Sequence, residues 1–212
     1  MNPFTCFIVL SQLKKVLLYF AWLNKSNQQM SSKYKFVNRD GVYFVTATIV
    51  DWVDVFTRNE YRNILLDCFR FCQQNQGLKI YGWVLMTNHF HLICSTTDEK
   101  GIGMVVRNIK SFTAMKIIDA TINNPKESRK RWLLDIFAKN GLQSKNNVHY
   151  QFWQVENHPI LLDNDETRFS QRLQYLHENP VRAGFVALAQ EWKYSSAIDF
   201  YTLNKGLLDL VA

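Results

Sequence analysis

The stretch WVLMTNHFHLICS, Trp83 to Ser95, constrains the fold of this chain more than any other. Apolar residues run through it on both sides of a short polar turn at Thr87 and Asn88. It therefore reads as the meeting of two buried strands, LKIYGWVLM (Leu78 to Met86) and HFHLICS. Two histidines separated by one phenylalanine stand in the second strand. Successive side chains of a strand point to opposite faces, so His89 and His91 emerge together while Phe90 points the other way. That is the geometry of two ligands held side by side. Alone it is a weak signal, because strand histidines also serve as satisfied core or surface residues. A catalytic metal site usually has about three protein ligands, so a third donor must come from elsewhere.

The flanking sequence supplies the companions of this strand pair. GVYFVTATIV (Gly41 to Val50) is β-branched and aromatic and predicts a strand. RNEYRNILLDCFRFCQQNQG (Arg58 to Gly77) places its apolar residues at helical spacing and ends on glycine. A second helix is predicted over Ile102 to Ile122, with Met104, Ile109, Phe112 and Ile117 among its apolar positions, and a shorter strand near YQFWQV, Tyr150 to Val155. The order β-α-β-β-α-β is that of the ferredoxin-like α+β fold. In it the helices cover one face of an antiparallel sheet and leave the other available for a ligand, as in the RRM-type RNA-binding sheets. The HFH strand would be central, with its histidines on the open face.

At 212 residues and 47% hydrophobic content the chain supports one main core and is not a disordered composition. The balance of 25 Lys and Arg against 18 Asp and Glu gives a net charge of +7, which favours an anionic partner such as nucleic acid over a merely basic protein. Much of that charge lies in an insertion, residues 126–150, where Arg129, Lys130 and Arg131 adjoin Trp132. The clustering suggests a phosphate-binding surface, against the plain alternative of a solvated face. Cys6, Cys68, Cys72 and Cys94 form no C-x-x-C pair and read as reduced core residues. In residues 1–29 an apolar run broken by Lys14 and Lys15 is too interrupted for a membrane span and lacks the marks of a signal peptide. It is either an amphipathic helix or translated sequence upstream of a start at Met30. The second is favoured, which gives one domain over residues 30–212 and no membrane partner.

The last long helix is DETRFSQRLQYLHENPVRAG, Asp165 to Gly184. Asp165 can cap its start, and Pro180 is expected to stop it near Asn179. Phe169, Leu173 and Leu176 form a core-facing stripe. Arg168, Arg172, Tyr175 and Asn179 form a second stripe, so a tyrosine and an amide one turn apart share a polar, basic face. A phenol is a poor nucleophile at neutral pH, with a pKa of about 10, and becomes useful only against an activated electrophile. A divalent metal held by His89, His91 and Asn179 would polarise a phosphodiester for attack by Tyr175, and two imidazoles with an amide oxygen suit Mg²⁺ or Mn²⁺. His158 and His177 read as structural, and Tyr194 and Tyr201 as part of a packed C-terminal tail.

The motif NHFHLI, with the later YLHENPVRAGFV and WKYSSAIDFY, resembles the single-tyrosine HUH transposases of the small insertion-sequence (IS200-like) type, and above all their chromosomal relatives, the REP-associated tyrosine transposases. The similarity runs from about Lys33 to Tyr201 and includes QFWQ and NHPI. It implies that His89 and His91 are metal ligands, Phe90 their core-facing spacer and Tyr175 the nucleophile. Asn179 would be the third ligand, at the place where other single-tyrosine members carry Gln. The implied activity is cleavage of single-stranded DNA beside an imperfect hairpin, a REP-like element or an insertion-sequence end. It leaves a covalent 5′-phosphotyrosine and a free 3′-OH, and rejoining needs no ATP. The implied setting is the bacterial cytoplasm at the nucleoid. Two other readings compete: a hairpin-binding protein of transposase descent that no longer cuts, and a phosphodiesterase that uses metal-activated water. A short connection into the tyrosine helix favours a monomer over a homodimer.

Overall fold

Among the described residues four strands and five α-helices follow one another as β1 (Tyr43–Thr48), α1 (Asn59–Asn75), β2 (Leu78–Leu85), β3 (His89–Thr96), α2 (Ile102–Asn123), α3 (Lys130–Gln143), β4 (Ile160–Leu161), α4 (Glu166–Arg182) and α5 (Ala197–Tyr201). The computed structural model describes residues 36–143, 149–155 and 158–211. The expectations for residues 1–29 fall outside them. The strands form one antiparallel sheet in the order β2-β3-β1-β4. This is the ferredoxin-like arrangement, with the HFH strand inside the sheet as expected. Among the described residues no helix is long and apolar enough to cross a membrane.

Strand alternation divides the sheet into two apolar layers. Val45, Ala47, Trp83, Leu85, Phe90, Leu92 and Cys94 face the larger core, where they meet Leu65, Phe69 and Cys72 of α1 and Ile109 and Ile117 of α2. Phe90 packs edge-on against Phe69 and Trp153, with ring centroids 5.3 and 5.4 Å away. Burying a side chain of that size contributes about 2 kcal/mol, which pins the register that sends both histidines to the opposite face. Cys68, Cys72 and Cys94 are free and buried, as core residues should be. On the second face Phe44, Val84, Met86 and Ile93 form a smaller layer closed by Leu162 and by Leu176 of α4. The tyrosine helix thus lies on the face that the ferredoxin-like order leaves open.

Three expectations shift. The fourth strand is Ile160–Leu161, paired with β1 through Phe44 and Tyr43, and not Tyr150 to Val155. Both Phe152 and Trp153 are buried, so the 150–155 segment has no alternation. It runs past the end of β1 with a single bridge, Trp153 to Ile49, and the indole of Trp153 donates to Thr113 Oγ1 at 3.1 Å. Second, α4 continues through Pro180 to Arg182. A proline removes one N–H, and here its ring is buried; the helix is capped by Ala183 and followed by Gly184, whose φ of 74° permits a left-handed turn. Phe185 N–H returns to the Pro180 carbonyl and Gly184 N–H to that of Val181, both at 2.9 Å, which satisfies the terminal carbonyls. Third, the basic insertion contains a helix, α3, anchored by the buried Leu133 and Phe137.

The N-terminus of α4 is capped as expected, with Asp165 Oδ1 accepting from Arg168 N–H at 2.8 Å. Its seat on β2 depends on Gly82, where a Cβ would lie 2.6 Å from Leu173 Cδ1. The C-terminal tail locks the same helix from the other side. Ser196 Oγ accepts from the Trp83 N–H at 2.9 Å and lies 2.8 Å from His177 Nε2, and Tyr201 OH is 3.2 Å from His177 Nδ1. Tyr194 OH donates to Asn59 Oδ1 at 3.0 Å, and its carbonyl accepts from Leu85 N–H at 2.8 Å. His177 and the two tyrosines of the tail thus each make hydrogen bonds within the fold.

Candidate active site

The site begins with register. Thr46 of β1 and Val84 of β2 flank His91, and Thr48 is paired with His89. The two imidazoles stand on the same face with centroids 4.8 Å apart. Over them α4 brings Tyr175, whose ring centroid is 5.4 Å from that of His91. Phe44 backs both, stacked on His91 at 5.1 Å and edge-on to Tyr175 at 6.1 Å.

Each histidine is held through Nδ1. For His89 the partner is Asn88 Oδ1, 2.7 Å away. Asn88 spends its amide hydrogens on Asp54 Oδ1 at 3.0 Å and the Trp52 carbonyl at 3.1 Å, so its oxygen can only accept and His89 must carry its proton on Nδ1. The lone pair of neutral His89 is then on Nε2. For His91 the Nδ1 partner is Thr46 Oγ1 at 2.8 Å, and Nε2 is buried with no hydrogen-bond partner. A buried nitrogen without a partner is unusual enough to need an explanation, and a metal ion is one.

Burial lowers both imidazole pKa values. His89 falls to about 4, opposed by a hydrogen bond with Asn179 and by the Asp54 carboxylate. His91 falls to about 3, pushed further by His89 and by the Arg172 guanidinium. Both rings are therefore neutral at physiological pH, the state in which imidazole binds metal. Among the described residues no three His, Cys, Asp or Glu side chains gather as a metal cluster. The Asn179 side chain, one helical turn beyond Tyr175, hydrogen-bonds to His89. His89, His91, Asn179 and Tyr175 are thus brought together from strand and helix, as the sequence pattern anticipated.

The other anticipated residues divide. Arg172 lies over the Phe44 ring at 5.4 Å and faces the site. Arg168 is drawn back to Asp165, 3.3 Å from its carboxylate. Arg129 donates to the Asp54 carbonyl at 2.7 Å and pairs with the buried Glu127 at 3.2 Å, so its guanidinium is engaged within the protein. Lys130 donates to the Ile122 carbonyl at 2.8 Å, while Arg131 and Trp132 project from α3 into solvent. The sequence reading passed over Thr46, Asp54, Asn88 and Arg182, the last with its guanidinium 5.5 Å from the Tyr175 ring. Asn88 and Arg182 stand within the motifs NHFHLI and YLHENPVRAGFV and Thr46 is a polar residue in an apolar strand, whereas Asp54 carried no local signal.

The site thus joins a paired-histidine strand of an antiparallel sheet to a tyrosine-bearing helix that lies over it. The chain belongs to the IS200-like transposase family, whose sequence profile matches residues 43–156, more than half of the chain and inclusive of both site histidines. Tyr175 and Asn179 lie beyond the matched segment. A Haemophilus influenzae protein named for the REP-associated tyrosine transposases is 22% identical over 170 residues, covering 79% of this chain and 85% of its own. The fold is similar to that of a REP-associated tyrosine transposase solved bound to a REP hairpin. That match has a TM-score of 0.56 and 17% identity, and covers 86% of this chain and 96% of the other.

Proposed function

We propose that this transposase cuts and rejoins single-stranded DNA beside a hairpin, with Tyr175 as nucleophile and Mg²⁺ or Mn²⁺ as cofactor. The observation that carries the reading is the buried, unpartnered Nε2 of His91 beneath the tyrosine helix. His89 Nε2, His91 Nε2 and the Asn179 amide oxygen would hold the cation, which supplies Lewis-acid polarisation of a phosphodiester and charge stabilisation for its leaving oxygen. The Tyr175 phenol oxygen forms a bond to phosphorus and gives up its proton to solvent. The bond from phosphorus to the 3′ oxygen breaks, and that oxygen takes a proton from water to become a free 3′-OH. The product is a 5′-phosphotyrosine, and attack on it by a 3′-OH rejoins or transfers the strand with one ester exchanged for another. The net charge of +7 suits a polyanion, and hairpin DNA is the substrate class indicated by the family and by the hairpin-bound relative. Tyr175 reaches His91 of its own chain, which supports a monomeric enzyme; action on the DNA of a bacterial chromosome would set it in the cytoplasm at the nucleoid.

The test is a denaturing gel after incubation with Mn²⁺ and single-stranded hairpins from the flanks of the gene. Wild type should give a covalent protein–DNA band that both Tyr175→Phe and His91→Ala lose. Tight hairpin binding with no adduct under any divalent metal would leave a binding protein of transposase descent. Cleavage that survives Tyr175→Phe would assign the chemistry to activated water.

A further inference from the structure

The lip of the site carries a bulky residue in a conformation that bulky residues avoid. Trp52 has φ of +56° and follows Asp51 at +51°, in the turn just after β1. Left-handed backbone in a residue of this size costs free energy and persists only where its surroundings over-determine it. They do so here from two sides. Asn88 donates to the Trp52 carbonyl at 3.1 Å, and Asn140 of α3 donates to Asp51 Oδ2 at 3.0 Å. The result is an indole that is 60% exposed, held with its centroid 6.0 Å from that of His89. Folding alone gains little from this arrangement, since most of the ring remains in water. The amide that fixes the turn is also the one that orients His89, so the indole and the imidazole are positioned by a single side chain.

A flat, exposed aromatic ring fixed beside a phosphodiester-cutting centre is suited to one class of ligand, the unpaired nucleobase. Base-on-aromatic stacking is tolerant of sequence and adds affinity that phosphate contacts cannot, because it reads the base and not the backbone. We infer that Trp52 is a stacking platform that receives an unpaired base next to the scissile phosphate and so sets the strand in line with Tyr175. This rests on the reading of the site as a single-strand DNA site.

Oligothymidylate and an abasic oligomer of the same length separate stacking from backbone binding. With metal chelated so that nothing is cut, wild type should bind the thymidylate about tenfold or more tightly than the abasic strand. Trp52→Ala should lose that preference while keeping its affinity for the abasic strand, and Trp52→Phe should restore much of it. An undiminished preference in Trp52→Ala, or no preference in wild type, overturns the assignment. A wild-type protein that forms no covalent adduct with hairpin DNA would defeat the proposed chemistry, and the base preference would still decide the role of Trp52.

Discussion

Asn88 Oδ1 accepts the Nδ1 proton of His89 across 2.7 Å, and through this bond a turn residue determines which nitrogen of the imidazole is left for a ligand. Asp54 and the Trp52 carbonyl hold the amide in that sense. Outer partners of this kind typically change metal affinity by about 10- to 100-fold when removed. Asn88→Ala should therefore weaken Mn²⁺ binding by that order, measured by calorimetry. Asn88→Asp retains the acceptor but sets a carboxylate against Asp54 Oδ1 and the Trp52 carbonyl, so it should recover only a small part of it. Equal losses in the two variants would show that the amide serves only the turn.

Acid should destabilise the protein through its buried imidazoles. Burial holds His89 and His177 at about 4 and His91 at about 3, each below the ordinary 6.5. The unfolded chain then binds more protons than the folded one below pH 6.5. The stability these groups contribute is complete above that pH and is lost as pH falls through the folded values. Each imidazole adds a slope of up to about 1.4 kcal/mol per pH unit in this window. Urea midpoints should be flat above about pH 7 and drop steadily toward about pH 4, and His91→Gln should make the drop shallower. Midpoints that hold constant down to about pH 4.5 would contradict the burial of these rings in neutral form.

Strict period-two alternation made the central strand and its paired histidines legible, because Phe90 must face one layer and its neighbours the other. The tyrosine–amide stripe was equally legible from helical spacing. The fourth strand was not: Ile160–Leu161 is too short to show a period, while Phe152 and Trp153 are both buried against helices and mimic one. The end of α4 was hidden because Pro180 speaks locally for a stop, whereas burial of its ring and the turn at Gly184 decide the boundary. Charge counting in the 126–150 insertion could not reveal that Arg129 turns inward to Glu127 and Asp54. Such partners are distant in sequence and become neighbours only on folding.

The strain at Trp52 has a signature separate from any role in binding. At a φ of +56° a Cβ is penalised, so replacing Trp52 by Gly and by Ala should give variants that differ in favour of Gly by about 1 kcal/mol. Thermal or urea unfolding of the pair reads this directly. An alanine variant at least as stable as the glycine one would place the backbone at Trp52 in an ordinary conformation.

Gly82 sets the height of the tyrosine helix over the sheet. A Cβ there would lie 2.6 Å from Leu173 Cδ1, and Leu173 is two residues before Tyr175 on the same helix. Alanine can be absorbed by a rotation of the leucine, but the second branch of valine must lift α4. Misplacement of a reacting group by about 1 Å costs on the order of 100-fold in rate. Gly82→Val should accordingly lose adduct formation by about that factor while the unfolding transition remains cooperative, and Gly82→Ala should lose far less. Full activity in Gly82→Val would detach the close approach from catalysis.

Tyr175 meets His91 of its own chain at 5.4 Å, with Arg172 and Arg182 of the same helix beside them, so one chain contains every proposed catalytic group. The tail that locks α4, through Ser196 and His177, belongs to that chain too. A helix held on both sides in this way has no reason to exchange onto a partner. Mixing Tyr175→Phe with His91→Ala should then fail to restore the covalent adduct at any protein concentration, and light scattering should give a monomer mass with and without hairpin DNA. If the helix instead served a second copy, each mixed dimer would assemble one intact site from the unmutated tyrosine of one protomer and the unmutated histidine of the other. Adduct would reappear at about a quarter of the wild-type yield, since about half of the dimers would be mixed and one of the two composite sites in each would be whole.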